Sequence, residues 1–437
     1  MSSTYSSDSF IDWTNKVFER RYILIKKLDY GSYASVWIAY DAIDTKYYAL
    51  KIGNRGDYKA SVRESSVYEA IKNINCQHLM KLVRTFDHIS DDDEDAETKN
   101  KHHCCVLDLM ACSMYKLLKT NQFSAGISFD IVIKCAKQVL IVLKELHKNN
   151  IIHGDVKPEN MLVSGNSLQQ LELFDKLGLS KIKCTKKVKG RPDVKTILNE
   201  ILKKNKKQLE ESSEESDDES EDDPEDSDTD DEQISISSCS KSVSSENTED
   251  SDGAENNELV SKSVIENISI KLTDMGGSVL PGGKKRRHVQ TSYYRSPELL
   301  LGLDYDTSSD IWALGCSIIE LLTGKILFNP DSYDGNTVRH HLFLIIKKLG
   351  KLPDSMMKES PKRDIFFSHD LKRIKGHKSI DTSVPLHSDI ASICVRNNCN
   401  KQMTDGFTDL ILGMLCYSPS GRITADMALE HHVFSGV

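Results

Sequence analysis

No stretch of these 437 residues is long enough or apolar enough to span a membrane, so membrane-spanning functions are not expected. The Ser-rich start lacks the apolar core of a signal peptide, which points to an intracellular protein of the cytoplasm, the nucleus or both. Cysteine pairing is missing too. The eleven cysteines are odd in number and follow no repeating spacing, which argues for free thiols in a reducing compartment. His102-His103-Cys104-Cys105 has metal-ligand residue types, but neighbours on a strand face opposite ways and no second ligand pair is evident, so zinc is not expected. Glycine is scarce where a phosphate-cradling turn needs it. In Leu28-Asp29-Tyr30-Gly31-Ser32-Tyr33-Ala34-Ser35-Val36 only the middle Gly, Gly31, is present, with Asp29 and Ala34 in the outer places.

What is present centres on His153-Gly154-Asp155-Val156-Lys157-Pro158-Glu159-Asn160. An Asp, a Lys two residues on and an Asn five on suit a phosphoryl-transfer loop. Asp155 can accept a proton from a hydroxyl, Lys157 can neutralise charge on the moving phosphate, and Asn160 can hold a metal ion. Val132, Ala136, Val139, Leu143 and Leu146 precede it at helical spacing, and Met161-Leu162-Val163 follows as a short strand. Upstream, Tyr48-Ala49-Leu50-Lys51 reads as a strand. Ala49 leaves room for a purine, and Lys51 can reach the α- and β-phosphates. A helix from Ala60 carries Val67, Ala70, Ile71 and Ile74 as its apolar set, and Glu69 beside that stripe is chosen as the ion-pair partner of Lys51, with Glu64 as the rival. Leu82–His88 and Cys104–Leu109 read as strands on either side of the acidic turn Asp91–Asp95.

After Val163 the composition changes. An insertion of about one hundred residues, 164–263, exceeds an ordinary loop. It begins basic, offers an amphipathic helix through Val194, Ile197, Leu198, Ile201 and Leu202, and turns Ser/Asp/Glu-rich beyond Glu210. Such a tract buries too little apolar surface to offset its ordering entropy, so disorder is predicted, and it supplies most of the net charge of −9. Order resumes at the strand Ile268–Thr273. It ends in Asp274-Met275-Gly276, where a second metal ligand is needed. Tyr294-Arg295-Ser296-Pro297-Glu298 closes the next loop, Asp310 opens an apolar helix, and Arg422 is a candidate buried partner for Glu298.

In that order these motifs resemble a eukaryotic-type protein kinase. Arg295 before Ser-Pro-Glu, the long spacer, Leu349-Gly350-Lys351-Leu352-Pro353 and Gly406-Phe407-Thr408-Asp409 are most similar to the SR-protein kinases. The resemblance implies an α+β, two-lobed fold: an N-terminal extension (1–20), a small β-rich lobe with the hinge (21–110), and a larger helical lobe (111–163 and 264–437) split by the insertion. It implies ATP and magnesium, with transfer to Ser or Thr of protein substrates, Arg/Ser-rich ones included. Candidate nucleotide contacts are Leu28, Gly31, Val36, Ala49, Lys51, Glu69, Asp108 and Met110, with Leu107 behind the pocket. Asn160 and Asp274 are the candidate metal ligands, and Asp155 and Lys157 the catalytic pair. A monomer without direct nucleic-acid binding is expected. The poor glycine turn favours a pseudokinase scaffold as the alternative, and the acidic insertion an interaction protein; Lys51, Asp155, Asn160 and Asp274 argue against both.

Two departures from the family bear on substrates and control. Where SR-protein kinases place docking carboxylates, before a helix read here as starting near Leu342, this chain has Val338-Arg339-His340-His341, with Asp331 and Asp334 upstream. Where many kinases have an Arg that pairs with an activation-loop phosphate, it has Gly154. Activity without loop phosphorylation follows, and Thr291→Ala or Ser292→Ala is expected to change the rate by less than about tenfold.

Overall fold

A computed structural model describes residues 11–31, 33–89, 101–120, 123–164, 268–285, 289–330, 336–376 and 385–435. They belong to one compact unit assembled from Met1–Cys184 and Ile265–Val437. The helix read at 194–202, the acidic tract, the Asp91–Asp95 turn, Asp331 and Asp334 lie outside the described residues.

Alternating apolar and polar residues build a six-stranded antiparallel sheet from β1 (Val17–Phe18), β2 (Tyr22–Tyr30), β3 (Ala34–Asp41), β4 (Lys46–Gly53), β5 (Leu82–Ile89) and β6 (Lys101–Asp108), in the order β1-β2-β3-β4-β6-β5. One face packs Trp13, Phe18, Tyr22, Trp37, Leu50 and Phe86 into a core. The helix α1 (Tyr58–Ile71) packs against β4, β5 and β6. Its buried face is Ser61, Glu64, Ser65, Val67, Tyr68 and Ile71, whereas Glu69 and Ala70 are exposed.

The second lobe starts with β7 (Met110–Ser113), which pairs with β8 (Met161–Ser164), itself paired with β9 (Ile270–Leu272). Ser164, counted in the insertion from sequence, is thus the last residue of β8. The helices are α2 (Met114–Leu118), α3 (Phe129–Lys148), α4 (Pro297–Leu301), α5 (Ser308–Thr323), α6 (Thr337–Leu349), α7 (Asp354–Glu359), α8 (Arg363–Phe366), α9 (Pro385–Arg396), α10 (Lys401–Met414) and α11 (Ala425–Leu429). Val132, Ala136, Val139, Leu143 and Leu146 all lie on the buried face of α3. α5 is buried all round from Ser309 to Leu322, as suits a helix apolar on every side, and ends at Gly324 with φ +72°. α6 begins at Thr337, five residues before the start read from sequence, because Asn336 caps it by accepting the Arg339 N–H at 2.9 Å. No helix among the described residues is long and apolar enough to cross a membrane.

Candidate active site

The loop at 153–160 is shaped by a carboxylate from another element. Asp310, fully buried in the first turn of α5, accepts the backbone N–H of His153 at 2.8 Å and that of Gly154 at 2.9 Å, and lies 3.0 Å from His147 Nε2. The fully buried His153 ring accepts the Asp155 N–H at Nδ1 (3.2 Å) and donates from Nε2 to the Thr273 carbonyl (3.1 Å). That ties the loop to the residue before Asp274. Gly154 sits at φ +78°, and a Cβ there would lie 2.5 Å from the Gly277 carbonyl oxygen. Only glycine meets both conditions, so the absent Arg follows from the backbone path.

Asp155 is held on both oxygens. Oδ2 lies 2.7 Å from Lys157 Nζ and accepts from Asn160 Nδ2 at 3.1 Å; Oδ1 accepts the Thr291 N–H at 3.1 Å and the Thr291 hydroxyl at 2.8 Å. Lys157 Nζ also donates to Thr291 Oγ1 at 2.8 Å. Ammonium can only donate and carboxylate only accept, so the direction of each proton in this ring is fixed. Thr291 was not read as part of the site. It stands 136 residues from Asp155, and no local spacing marks it.

Lys51, on β4, reaches Glu64 on α1 with Nζ 2.7 Å from both carboxylate oxygens, and lies 3.4 Å from Asp274 Oδ1. Glu69 does not pair with Lys51. It is exposed and bonds Lys72 at 3.0 Å, because it lies off the face shared by Glu64, Tyr68 and Ile71. Burial alone would lower the Lys51 pKa, but Asp274 and Glu64 override it and hold the ammonium above its usual range. The Lys51 charge in turn lowers the Asp274 carboxyl, helped by Lys157. Removing Glu64 forfeits a charge-assisted contact of about 1.5–3 kcal/mol, so Glu64→Ala is expected to lower kcat/KM for ATP roughly ten- to a hundredfold. Glu69→Ala should stay within about fivefold, since an exposed pair contributes roughly 0–1 kcal/mol. Steady-state kinetics on the two variants checks both.

The other nucleotide candidates lie along the same strands. Val36 pairs with Lys51 across β3 and β4, and Ala49 with Leu107 across β4 and β6. Gly31 donates its N–H to the Ala34 carbonyl at 2.8 Å and closes the β2–β3 turn. Half-buried Leu28 gives its carbonyl to Lys116 at 3.3 Å, and the same ammonium is 3.5 Å from Asp29. Asp108 is paired with Lys271 and Met110 is buried. His102 and His103 are engaged by protein groups, with Nδ1 of His102 at the Gly53 carbonyl and His103 between Asp87 and Ser65.

The site's donor set suits magnesium. The Thr273 N–H donates to the Asn160 carbonyl at 3.0 Å, which sets Asn160 beside Asp274, and one carboxylate with one amide are hard oxygen donors. Among the described residues no group of three or more His, Cys, Asp or Glu could hold a metal unaided, so phosphate oxygens and water would complete the shell.

Comparison with known families matches the protein kinase domain at residues 22–208 and 255–434. The chain is similar to serine/threonine-protein kinase SRPK of Physarum polycephalum, 28% identical across 97% of this chain and 88% of that one. It is 26% identical to protein kinase dsk1 of Schizosaccharomyces pombe, across 93% and 79% of the two chains. For serine/threonine-protein kinase AFC3 of Arabidopsis thaliana the identity is 25%, across 95% and 82%. With a match over far more than half its length, and with two lobes, a catalytic-type loop and a paired lysine in the order that match requires, this chain belongs to the protein kinase domain family.

Proposed function

We propose that the chain transfers the γ-phosphoryl group of ATP to Ser and Thr hydroxyls of protein substrates, with Asp155 and Lys157 as its catalytic residues. The observation that carries this reading is the double pairing of Lys51 with Glu64 and of Asp155 with Lys157 and Thr291. Lys51 and its strand neighbours Val36 and Ala49 would bind the nucleotide. Lys51 would set the α- and β-phosphates, and Asn160 and Asp274 would hold the magnesium, whose chemistry is to neutralise charge on the phosphates. Asp155 would orient the acceptor hydroxyl and take its proton at a carboxylate oxygen, while Lys157 stabilises the charge that develops nearby. Positioning and electrostatics would supply most of the acceleration. A scaffold without transfer would not require these pairings, although Asp29 and Ala34 in the glycine turn favour it. The test is γ-labelled ATP with magnesium and Ser, Thr and Tyr peptides in parallel. Label on Ser or Thr but not Tyr is expected. Bound ATP with no label above that of Asp155→Asn would favour the scaffold.

Thr291 has a further part in this reading. Its hydroxyl bridges Asp155 and Lys157, so Thr291→Ala is expected to lower kcat roughly tenfold or more, which revises the small effect expected from sequence. Thr291→Ser should retain most activity, and Ser292→Ala should stay within about tenfold. Initial rates on phosphatase-treated protein check all three.

Arg/Ser-rich substrates are proposed with weaker docking than the acidic groove of SR-protein kinases gives. Support comes from the first turns of α6, where Arg339 and His340 are half-buried and His341 is buried. Burial, with Arg295 and His340 nearby, pushes the His341 imidazole down to about 3, so His341 adds no charge at neutral pH, and Arg339 beside it brings a cation where a docking carboxylate would be needed.

A further inference from the structure

Asp87, on β5, reaches two points of α1, one directly through Oδ2 and one through the ring of His103 on β6. Oδ2 accepts the Tyr58 hydroxyl at 3.0 Å and pairs with Lys101 at 2.9 Å; Oδ1 takes Nδ1 of His103 at 2.8 Å. The other ring nitrogen of His103 lies 2.8 Å from Ser65 Oγ. His103 and Ser65 are buried, at 8% and 6% exposure, where a polar group without a partner would be costly. Carboxylate can only accept, so Nδ1 carries a proton, and Nε2 shares a hydrogen bond with the Ser65 hydroxyl, which can donate or accept. The Ser65 hydroxyl also lies 2.8 Å from the Val62 carbonyl, which takes the Ser66 hydroxyl at the same distance on its second lone pair.

The contacts repeat along the helix. Tyr58 and Ser65 are seven residues apart, close to two turns, and so lie on one face. Ser65 directly follows Glu64, whose carboxylate must stay 2.7 Å from Lys51. Burial alone would raise the Asp87 carboxyl, but Lys101, His103 and Tyr58 hold it below the usual carboxylate range, so it stays charged.

We propose that Asp87 and His103 are positioning residues for the nucleotide site: together they clamp α1 to β5 and β6 at two points and so fix Glu64 against Lys51. Neither touches substrate. The inference rests on the kinase reading above and adds the element that sets its ion pair.

The test has two arms on the full chain. Hydrogen–deuterium exchange of the α1 amides reads the clamp itself, without reference to catalysis. Asp87→Ala, His103→Phe and the milder Ser65→Ala should each raise exchange over 58–71 while leaving α3 unchanged. Steady-state kinetics reads the consequence. Each variant should lower kcat/KM for ATP about tenfold, and none should lower it further in a Glu64→Gln background, because the clamp acts only through Glu64. Unchanged α1 exchange in Ser65→Ala and His103→Phe would overturn the proposal, as would losses that add fully to that of Glu64→Gln. Wild-type protein that binds ATP but transfers no phosphate would instead overturn the kinase reading, and the clamp would then stand or fall on the exchange arm.

Discussion

Asp155→Ala is expected to reduce phosphoryl transfer by about 10²–10⁴-fold, the usual contribution of a positioned general base, while the protein stays folded and binds ATP. The stated role requires a carboxylate whose oxygens are already aimed, and Asp155 has both anchored, one by Lys157 and Asn160 and the other by Thr291. The nucleotide candidates sit on β2, β3, β4 and the hinge strands and none of them bonds Asp155, so ATP affinity should change little. Lys157 and Thr291 would lose a shared partner on a half-buried surface that water can reach, which limits the cost to stability. Calorimetric titration with ATP, alongside single-turnover transfer, separates the two effects. A variant that keeps more than a few per cent of the wild-type rate would remove Asp155 from the role proposed.

Glu298→Ala is expected to destabilise the fold by about 3–5 kcal/mol, because it leaves a buried charge without its partner. Arg422 and Glu298 are at most 3% exposed and meet in a two-pronged pair at 2.8 and 3.0 Å. The same guanidinium donates to the carbonyls of Cys416, Ser308 and Tyr417 and lies 5.3 Å from the Trp312 ring. It therefore joins the start of α4, the start of α5 and the segment before α11, and it has nowhere to turn once the carboxylate is gone. Urea unfolding with a fixed denaturant slope is the measurement. A loss under about 1 kcal/mol would show that water enters and resolvates the arginine.

The parts of the site that sequence made legible are local or set by rigid spacing. Asp155, Lys157 and Asn160 share one loop, Lys51 lies within the strand β4, and Asp274 stands just past the strand β9. The two-lobed fold came with the resemblance to protein kinases that the order of these pieces carries. Glu64 was misjudged because Ala70 was counted into the apolar stripe of α1. Ala70 is exposed, and moving the stripe to Ser61, Glu64, Tyr68 and Ile71 carries the acidic partner with it. Small Ala reads as apolar on either face of a helix, so composition could not decide. Thr291, Asp310 and Asp87 were beyond sequence reasoning for another reason. Each acts on residues of a distant element through several hydrogen bonds, and no periodicity encodes that approach. Gly154 was noticed for the side chain it lacks; the structure supplies the cause, a left-handed backbone pressed against Gly277.

The ladder between β8 and β9 has a consequence for how this kinase fold tolerates change. The described segments that flank residues 165–267 meet in this ladder, with the Ser164 N–H on the Ser269 carbonyl at 2.7 Å and Val163 opposite Ile270. Exit and entry are thus already joined by the sheet, whatever lies between them. For a flexible connection, each doubling of length costs only about 0.6 kcal/mol of closure entropy. The position behaves as a port: a short turn, a long flexible connection or a grafted domain with neighbouring termini would each meet the same geometric demand, at a closure cost that differs little.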